Sequence, residues 1–475
     1  MTGKSRHKNN KLDTSLLFLF DVLAFVLSLG ISVRAFCGDS LGFFVVEHMA
    51  LIFHMALVTF LSFYFFDLYY VLKDFRRYRQ TINLLLAAGM SFFLTVIIAF
   101  WDKDFIYRKL FTSVFFLFLF VFAFFGRVIF SIARVRLFRR KAVIIGNTPM
   151  GRLLQKYINK KEKEGSDFGI EIAGYISDDA DTTKETYSGL PHLGRYADLK
   201  SVLDSQNISL LVYALDDQGA SRLNEVIIQE KLKGTNLISA VALYEAISGM
   251  VPYEHINSAW LIEDCLRGNK FAEVRLKRAV DIVLGTSMLL ISLPCIALLA
   301  LLVKLGSGGP ALFVQTRAGR FEKPFKMFKL RTMRLVDDKE FPKDPEGWHA
   351  KNIGRVSPLG KVMRKFHLDE LPQFYNVIIG DMSIVGPRPE MQMFIEHCEE
   401  RIPFYKMRLA VRPGITGWAQ VWYTHTSTLR GYKSKFKYDL YYLANLSLRM
   451  DLEIMLRTVL RIFGYPKVKQ DKAWP

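Results

Sequence analysis

Cysteine is scarce in this chain: four residues among 475, at widely separated positions. The sequence contains no CxxC pair and no cysteine and histidine group at the spacing of a zinc site. These absences exclude a disulfide framework and a structural zinc centre as the basis of the fold. Acidic residues are also few, 45 against 64 lysines and arginines, which gives a net charge of +19. This charge indicates an anionic partner such as phospholipid, nucleotide or nucleic acid.

Long apolar runs are abundant instead. Hydrophobic residues make up 51% of the chain, and its 475 residues exceed what a single core usually holds. Four runs lie near the beginning, at 12–36, 43–66, 82–101 and 110–132. Each is close to the ~20 residues that cross a bilayer as a helix. Residues 1–136 are therefore predicted to form four transmembrane helices.

Charge at the ends of these runs predicts their orientation. Lysine and arginine collect before the first run, between the second and third, and after the fourth, whereas the other two loops are short and nearly neutral. Because positive loops stay in the cytoplasm, both ends of the four-helix unit are expected there. A cleaved signal peptide is the alternative for the first run, but the run is long for one and lacks an A-x-A-like cleavage site. An uncleaved anchor is the better interpretation.

A fifth apolar run, at 279–303, differs from the others because basic residues flank both of its ends. The residues that distinguish it are Lys277, Arg278, Asp281, Ser292 and Pro294. Pro294 lacks a backbone donor and bends or breaks a helix, and Asp281 would be costly inside hydrocarbon. We expect a re-entrant hairpin that returns to the face it entered. An ordinary fifth span is the alternative, and it would place the strongly basic remainder outside the cell.

The middle of the chain, 137–265, has the pattern of a soluble domain. Buried strands are predicted at 141–146, 170–176 and 208–213, with helices between them. Alternating strands and helices predict a parallel sheet of the Rossmann type. The fold class is therefore a membrane protein, α plus α/β.

The phosphate-binding fingerprint of this middle domain is incomplete. Gly146 and Gly151 occupy the outer glycine positions, but Thr148 replaces the middle glycine that lets a pyrophosphate approach. Asp178 follows a strand where a ribose-binding acid could lie. Two interpretations stay open: a bound dinucleotide, or a fold retained for assembly or regulation.

The densest chemical signal lies near residue 370. The chain reads HLDELPQ at 367–373, GDMS at 380–383 and GPRPE at 386–390. Asp369 and Glu370 are adjacent carboxylates at a predicted helix start, where the helix dipole favours anions. Basic residues surround them in sequence: Arg355, Lys361, Arg364, Lys365 and Arg388. A carboxylate pair among cations suits a site that handles phosphate, with one carboxylate free to bind a divalent metal.

Further motifs occur in the same segment, 272–475. They are KR-x-x-D at 277–281, GGPALF at 308–313, Q-x-R-x-G at 315–319, FKLRTM at 328–333 and RPGITG at 412–417. With the motifs around Asp369, this series resembles the polyprenyl-phosphate hexose-1-phosphate transferases of bacteria, the large monotopic phosphoglycosyl transferases. Leu293 separates Ser292 from Pro294, where the family usually has Ser-Pro. Four helices and a degenerate nucleotide-binding-like domain before the catalytic domain also match the large form of this family.

The resemblance implies transfer of a sugar 1-phosphate from a UDP-sugar to undecaprenyl phosphate, with release of UMP. It makes Asp369 the nucleophile, which forms a phosphosugar intermediate, and it makes Glu370 a ligand of Mg²⁺. Carboxylates do form acyl phosphates in other enzymes. The residues expected to bind phosphate or nucleotide are Arg317, Lys329, Arg331, Arg364, Asp381 and Arg388. The product would initiate exopolysaccharide, capsule or O-antigen synthesis.

The resemblance also implies a location and partners. The protein is expected in the bacterial inner membrane as a multi-pass homodimer, with membrane lipids around it, a cytoplasmic catalytic domain and no nucleic acid. Two other function classes remain: a membrane scaffold or regulator whose middle domain senses a nucleotide, and a nucleic-acid binder suggested by the net charge. The intact Asp369 and Glu370 favour the enzyme. No residue identifies the sugar.

Overall fold

A computed structural model of the chain describes fourteen segments of it. They are 3–36, 42–69 with short gaps, 77–99, 105–137, 140–165, 168–178, 189–206, 208–214, 228–232, 235–256, 271–307, 309–333, 355–423 and 428–462. The chain forms two compact units, Met1–Gly249 and Met250–Pro475, called here the N-terminal and C-terminal units.

Four helices begin the N-terminal unit: α1 (Gly3–Phe36), α2 (Met49–Phe65), α3 (Arg77–Ala99) and α4 (Phe105–Leu137). Each coincides with one of the predicted apolar runs. Helix α1 packs on α4, and α3 packs on both α2 and α4. Within α1 and α4, Thr14–Phe36 and Leu110–Phe130 are long and apolar enough to cross a membrane, whereas the apolar parts of α2 and α3 are shorter. That α2 and α3 cross the membrane therefore stays a prediction.

A buried ion pair joins α1 to α4. Arg127 donates to both carboxylate oxygens of Asp21, at 2.6 and 2.9 Å. Both side chains are buried, and the ring of Phe63 lies 5.3 Å from the guanidinium carbon. A charge in a membrane segment is costly unless it is paired inside the protein. The pair therefore fixes which faces of α1 and α4 meet.

A five-stranded sheet follows the helices. Its strands are β1 (Arg140–Ile145), β2 (Ile170–Ile176), β3 (His192–Gly194), β4 (Leu210–Tyr213) and β5 (Asn236–Ser239). All neighbours are parallel, in the order β3-β2-β1-β4-β5. Helices α5 (Pro149–Lys163) and α6 (Leu199–Ser205) lie in the connections between strands, and α7 (Ala240–Ser248) follows the last strand. The predicted parallel sheet is confirmed.

The residues of the incomplete fingerprint serve the backbone of this domain. Gly146 has a φ of 100°, which allows the turn between β1 and α5. Thr148 is the N-cap of α5, and its hydroxyl accepts a hydrogen bond from the amide of Gly151 at 3.3 Å. Asp178 accepts a hydrogen bond from the amide of Tyr196 at 2.8 Å. These contacts stabilise the loops at the carboxyl edge of the sheet.

The C-terminal unit begins before the predicted end of the middle domain. Val251 and Tyr253 pack in the core of the C-terminal unit, and the ring of Tyr253 meets that of Phe436 at 5.1 Å. Residues 250–256, which the sequence analysis assigned to the middle domain, therefore belong to the C-terminal unit. The predicted boundary at 265 lies outside the described residues.

Helices dominate the C-terminal unit, with short strands between them. Its helices are α8 (Phe271–Ser307), α9 (Pro358–Lys365), α10 (Gln373–Ile379), α11 (Gln392–Glu399), α12 (Trp418–Trp422), α13 (Leu429–Ala444) and α14 (Leu448–Ile462). Strands β6 (Leu312–Ala318) and β7 (Pro324–Leu330) form an antiparallel hairpin, while β8 (Ser383–Val385) and β9 (Gly414–Thr416) pair in parallel. The second pair brings the GPRPE and RPGITG motifs together.

Helix α8 contains the fifth apolar run, and Glu273–Gly306 within it is long and apolar enough to cross a membrane. The helix continues through Pro294 without a break, and Ser292 donates to the carbonyl of Leu289 at 3.1 Å. The helical conformation by itself does not show whether α8 spans the membrane or re-enters it, so the re-entrant path stays a prediction.

Polar residues near the start of α8 attach it to the rest of the unit. Asp281, 4% exposed, accepts hydrogen bonds from the hydroxyl of Ser383 and the amide of Ile384, both at 3.0 Å. Arg278 donates to the last carbonyls of α10, and Lys277 pairs with Asp451 at 2.6 Å. The costly Asp281 is thus compensated by protein donors.

The contact between β8 and β9 depends on glycine. A Cβ atom at Gly386 would lie 2.4 Å from the carbonyl oxygen of Arg412 and 2.9 Å from the amide nitrogen of Gly414. Both atoms belong to the backbone and cannot rotate away. The loop that carries Arg388 is therefore fixed to the RPGITG segment by close backbone packing.

We predict that Gly386→Ala destabilises the C-terminal unit by about 1–3 kcal/mol, because the added methyl group forces the two loops apart. The matched control is Gly306→Ala, where nothing lies within 4 Å of the new Cβ and alanine favours the helix. Thermal unfolding in nanodiscs would compare the two variants. Equal melting temperatures would contradict the packing argument.

Candidate active site

Asp369 and Glu370 lie in a 3₁₀ turn, Leu368–Glu370, between α9 and α10. His367 precedes the turn with a φ of 55°, a left-handed conformation between the end of α9 and the turn. Pro372 is the N-cap of α10, so the carboxylates come just before the helix and not inside it. Asp369 is 8% exposed and Glu370 is 9% exposed. Two neighbouring carboxylates are thus buried side by side.

Glu370 is held by two cations from distant parts of the chain. Its Oε1 atom accepts a hydrogen bond from Lys329 Nζ at 3.2 Å and from Arg388 Nη2 at 2.9 Å. Burial by itself would raise the pKa of Glu370, but Arg388 and Lys329 outweigh it and hold that pKa well below the usual range. Glu370 is therefore ionised at neutral pH.

Asp369 has a different environment. No cation in the described segments forms an ion pair with its carboxylate. Burial raises the pKa of Asp369, and the charge of Glu370 raises it further, while Lys329 and Arg364 offset part of the effect. Of two neighbouring carboxylates, the one with the raised pKa and no fixed partner is the more basic and the freer to react. The geometry therefore distinguishes Glu370, which two cations fix, from Asp369, which has no ion pair in the described segments.

Asn376, which the sequence analysis missed, positions Lys329. This fully buried side chain on α10 donates to the carbonyl of Lys326 at 2.7 Å and accepts from the amide of Phe328 at 3.1 Å. The two bonds fix β7 against the helix that follows the carboxylates. Burial lowers the pKa of Lys329, while the charge of Glu370 raises it in part.

A second buried pair, also missed, supports Arg388. Arg408 contacts Asp439 at 2.8 Å, with both side chains 2% exposed, and donates to the backbone carbonyl of Arg388 at 3.1 Å. The Nη1 atom of Arg408 donates to the hydroxyl of Tyr405 at 3.2 Å. Buried charges need partners, so Arg408 and Asp439, each among aromatic residues in the sequence, could have been recognised as candidates for a buried pair. The sequence does not show that these two residues pair with each other.

The remaining predicted residues divide into two groups. Arg317 on β6 interacts electrostatically with Glu370 and Arg388, although burial lowers the pKa of Arg317. Arg364 faces Asp369 electrostatically and donates to the hydroxyl of Thr332 at 2.9 Å. These arginines thus lie near the carboxylate pair, and their assignment to phosphate or nucleotide stays a prediction.

Asp381 and Arg331 are placed differently. Asp381 is half-buried after α10, and no hydrogen bond or ion pair in the described segments joins it to either carboxylate. Arg331 is buried directly after β7, where its amide donates to the carbonyl of Ala311 at 2.8 Å. Their assignment to phosphate or nucleotide stays a prediction.

The donor set of this site suits a magnesium ion shared with a substrate. Among the residues that the structure describes, no three carboxylate, histidine or cysteine side chains lie together, so no complete metal cage exists there. Magnesium typically takes one or two carboxylates and completes its shell with water and substrate phosphate oxygens. Glu370 and Asp369 offer oxygen ligands of this kind. The residues fit Mg²⁺ in that shared mode.

Comparisons with known proteins agree with this chemistry. A family model described as bacterial sugar transferase matches residues 272–465, and one described as a CoA-binding domain matches 64–236. The chain is 31% identical over 350 residues to a UDP-glucose:undecaprenyl-phosphate glucose-1-phosphate transferase of Klebsiella pneumoniae, covering 68% of each chain.

Other relatives match over a shorter region. The chain is 37% identical over 226 residues to the UDP-N-acetylgalactosamine-undecaprenyl-phosphate N-acetylgalactosaminephosphotransferase of Aeromonas hydrophila, covering 46% of this chain and 51% of the relative. It is 42% identical over 190 residues to the UDP-glucose:undecaprenyl-phosphate glucose-1-phosphate transferase of Escherichia coli K12, covering 40% of each. The chain thus spans about half the length of these two relatives or less.

We predict energetic coupling between Glu370 and Arg388. Arg388→Met alone should lower the free energy of unfolding by about 1–3 kcal/mol, because it removes one donor from a buried carboxylate. The double variant also carries Glu370→Gln, which removes the charge of the carboxylate. Its loss in free energy of unfolding should therefore be smaller than the sum of the two single losses by about 1 kcal/mol or more. Denaturant unfolding of the four proteins in micelles measures the coupling. Strict additivity would show that the pair does not interact.

Proposed function

Because this chain belongs to the bacterial sugar transferase family, we propose that it transfers a sugar 1-phosphate from a UDP-sugar to undecaprenyl phosphate and releases UMP. The observation that carries the proposal is the unequal carboxylate pair: Glu370 fixed by Lys329 and Arg388, Asp369 buried beside it without an ion pair. The names of the relatives support the reaction class. They differ in the sugar, glucose or N-acetylgalactosamine, so the sugar stays open.

The first step is an attack by Asp369 on the β-phosphorus of the UDP-sugar. A bond forms between a carboxylate oxygen and phosphorus, and the bond from that phosphorus to the bridging oxygen breaks. Its electron pair leaves with UMP, and the sugar phosphate remains on Asp369 as an acyl phosphate. A carboxylate of raised pKa suits this role, since the more basic of two carboxylates is the more nucleophilic.

The cations around the pair provide the charge that this step requires. Arg388 and Arg317 lie near Glu370 and Arg364 lies near Asp369, which supports a role for them in binding the diphosphate. Guanidinium groups bind phosphate oxygens in pairs, which orients the phosphorus toward the nucleophile. Mg²⁺ on Glu370, when bound, would neutralise the diphosphate and the departing UMP.

The second step returns the enzyme to its starting state. A phosphate oxygen of undecaprenyl phosphate attacks the phosphorus of the intermediate, and the bond to Asp369 breaks with its electron pair returning to the carboxylate. The product is a lipid-linked diphosphosugar, which would start an exopolysaccharide, capsule or O-antigen unit. Location in the inner membrane, a cytoplasmic catalytic domain and a homodimer belong to the same proposal.

The re-entrant path of α8 would bring the lipid phosphate to this site. Contacts on both sides of Pro294 support it. Before the proline, Gly285 approaches Val377 so closely that a Cβ would lie 3.1 Å from its side chain. After the proline, Leu299 and Val303 pack in one cluster with two residues of the site region, Leu330 and Met363. Both halves of the apolar helix thus touch the unit that carries Asp369.

The first test is UMP release by the purified protein in nanodiscs, with Mg²⁺, undecaprenyl phosphate and a panel of UDP-sugars. We expect release with at least one donor. Asp369→Asn should abolish both half-reactions, because an amide cannot form the acyl phosphate, while Glu370→Gln should mainly weaken the dependence on Mg²⁺. Asp204→Asn, an exposed position on α6, is the matched control and should keep its activity.

Mass spectrometry gives a readout that does not depend on turnover. Without the lipid acceptor, the wild-type protein should gain the mass of one sugar phosphate on the peptide that contains Asp369, and Asp369→Asn should not. Turnover by Asp369→Asn at the wild-type rate would refute the covalent assignment. Silence of the wild-type protein with every donor would refute the proposed reaction.

We further predict that Pro294→Ala straightens α8 toward a span, because alanine restores the backbone donor that proline lacks. Single cysteines beside Arg278 and Lys304, in a protein without its four native cysteines, would report which membrane face each occupies through an impermeant thiol reagent. In Pro294→Ala the two should label from opposite faces, while the control Leu293→Ala keeps both on one face. Labelling of both from one face in Pro294→Ala would show that Pro294 does not cause the bend, and labelling from opposite faces in the control would count against the re-entrant hairpin.

A further inference from the structure

Behind Arg388 lies a group of buried polar atoms, and of the four residues that carry them the mechanism above uses only Arg317. The atoms are Arg317 Nε, Glu390 Oε1, Tyr432 OH and Lys435 Nζ. None of the four has a hydrogen-bond partner in the part of the chain that the structure describes. Glu390 is 6% exposed and Lys435 is 8% exposed, so both charged groups are removed from water.

These atoms share one region of the C-terminal unit. The backbone carbonyl of Glu390 accepts from the amide of Ala318 at 3.0 Å, which places Glu390 beside the strand that carries Arg317. Lys435 and Tyr432 lie one turn apart on α13, with the ammonium nitrogen 4.6 Å from the centre of the tyrosine ring. Glu390 interacts electrostatically with Lys435, Arg408, Arg317 and Arg388, yet forms no ion pair with any of them.

A structural role alone does not explain this arrangement. The pair formed by Arg408 and Asp439 is in the same region, and there both charges are in contact at 2.8 Å. A buried charge without a hydrogen bond or ion pair costs several kcal/mol, and the ring of Tyr432 offsets only part of this cost for Lys435. A core selected only for stability would therefore pair such charges or replace them. Sites that bind a ligand keep such groups, because the ligand supplies the missing partner.

The chemistry of the four atoms indicates what the partner is. Arg317 and Lys435 can only donate hydrogen bonds, ionised Glu390 can only accept them, and Tyr432 can do both. A phosphate group accepts only, and the Glu390 carboxylate would repel it. Groups that donate and accept side by side fit better, and a nucleotide sugar has them in its sugar hydroxyls and on the edge of its uracil ring.

We propose that Glu390, Lys435 and Tyr432 form a recognition subsite for the uncharged polar part of the nucleotide-sugar donor, next to the Glu370–Arg388 pair. The inference rests on the proposed function, since it assigns a part of the same donor to these residues. Arg388 connects the carboxylate pair with the subsite. Its guanidinium donates to Glu370, and Glu390 lies two residues further along the chain. Donor phosphates on Arg388 would thus bring the rest of the donor within reach of the subsite.

The subsite predicts opposite effects on stability and on binding. Lys435→Met removes an unpaired buried charge, so the melting temperature without ligand should stay the same or rise. The same variant should raise the KM for the donor roughly 10-fold, because a hydrogen bond to a charged group is lost, and change kcat much less. Glu390→Gln should raise that KM in the same way. Lys433→Met, an exposed position on the same helix, is the matched control.

Calorimetry on proteins that also carry Asp369→Asn measures donor binding without turnover. Weaker binding of the UDP-sugar but not of UMP in Lys435→Met would place the sugar in the subsite. Weaker binding of both would place the uracil there. Binding and KM equal to those of Lys433→Met would overturn the subsite, as would a lowered melting temperature with an unchanged KM, which is the result of a purely structural role.

These outcomes separate the subsite from the reaction itself. If the wild-type protein releases no UMP with any donor, the proposed function fails whatever the variants do. If the wild-type protein releases UMP and Lys435→Met matches its control, the reaction stands and the subsite alone is wrong.

Discussion

The buried charge of Glu370 is the constraint on which the C-terminal unit depends. Cations in contact stabilise this carboxylate, and they come from separate elements, Lys329 on β7 and Arg388 after β8. Each of these is held in turn by another buried polar group. Asn376 fixes β7 at 2.7 and 3.1 Å, and Arg408 holds the backbone of Arg388 at 3.1 Å. Buried polar contacts thus position both cations of Glu370.

The same requirement attaches the apolar helix α8 to the site. Asp281 accepts two hydrogen bonds from β8, the strand that leads to Arg388. Arg278 donates to the carbonyls of Val377 and Ile378, the end of the short helix that begins beside the carboxylate pair. A cation at a helix C-terminus satisfies carbonyls that lack partners within the helix. A shift of α8 would therefore displace both β8 and the short helix, the two elements next to the active site.

Neighbouring carboxylates would be equivalent in water, and the fold makes them different. Cations in contact hold the pKa of Glu370 low, while burial and the charge of Glu370 raise the pKa of Asp369. The inequality suits a fixed ligand beside a reacting group. Glu390 and Lys435 add a second contrast, since they lie beside a fully paired Arg408 and Asp439 and remain unpaired. Unpaired groups in a well-paired core are where a ligand is expected.

Local patterns in the sequence determined the elements of this protein. The apolar runs predicted the helices α1 to α4 and α8, and the strand at 170–176 has the predicted bounds, because periodicity and hydrophobicity act over neighbouring residues. The motif series determined the family and the carboxylate pair. Only the tertiary structure decided which cation meets which carboxylate, because such contacts join residues far apart, 41 positions for Lys329 and Glu370 and 174 for Lys277 and Asp451. Partner choice depends on how the elements pack, and no single segment of the sequence contains that information.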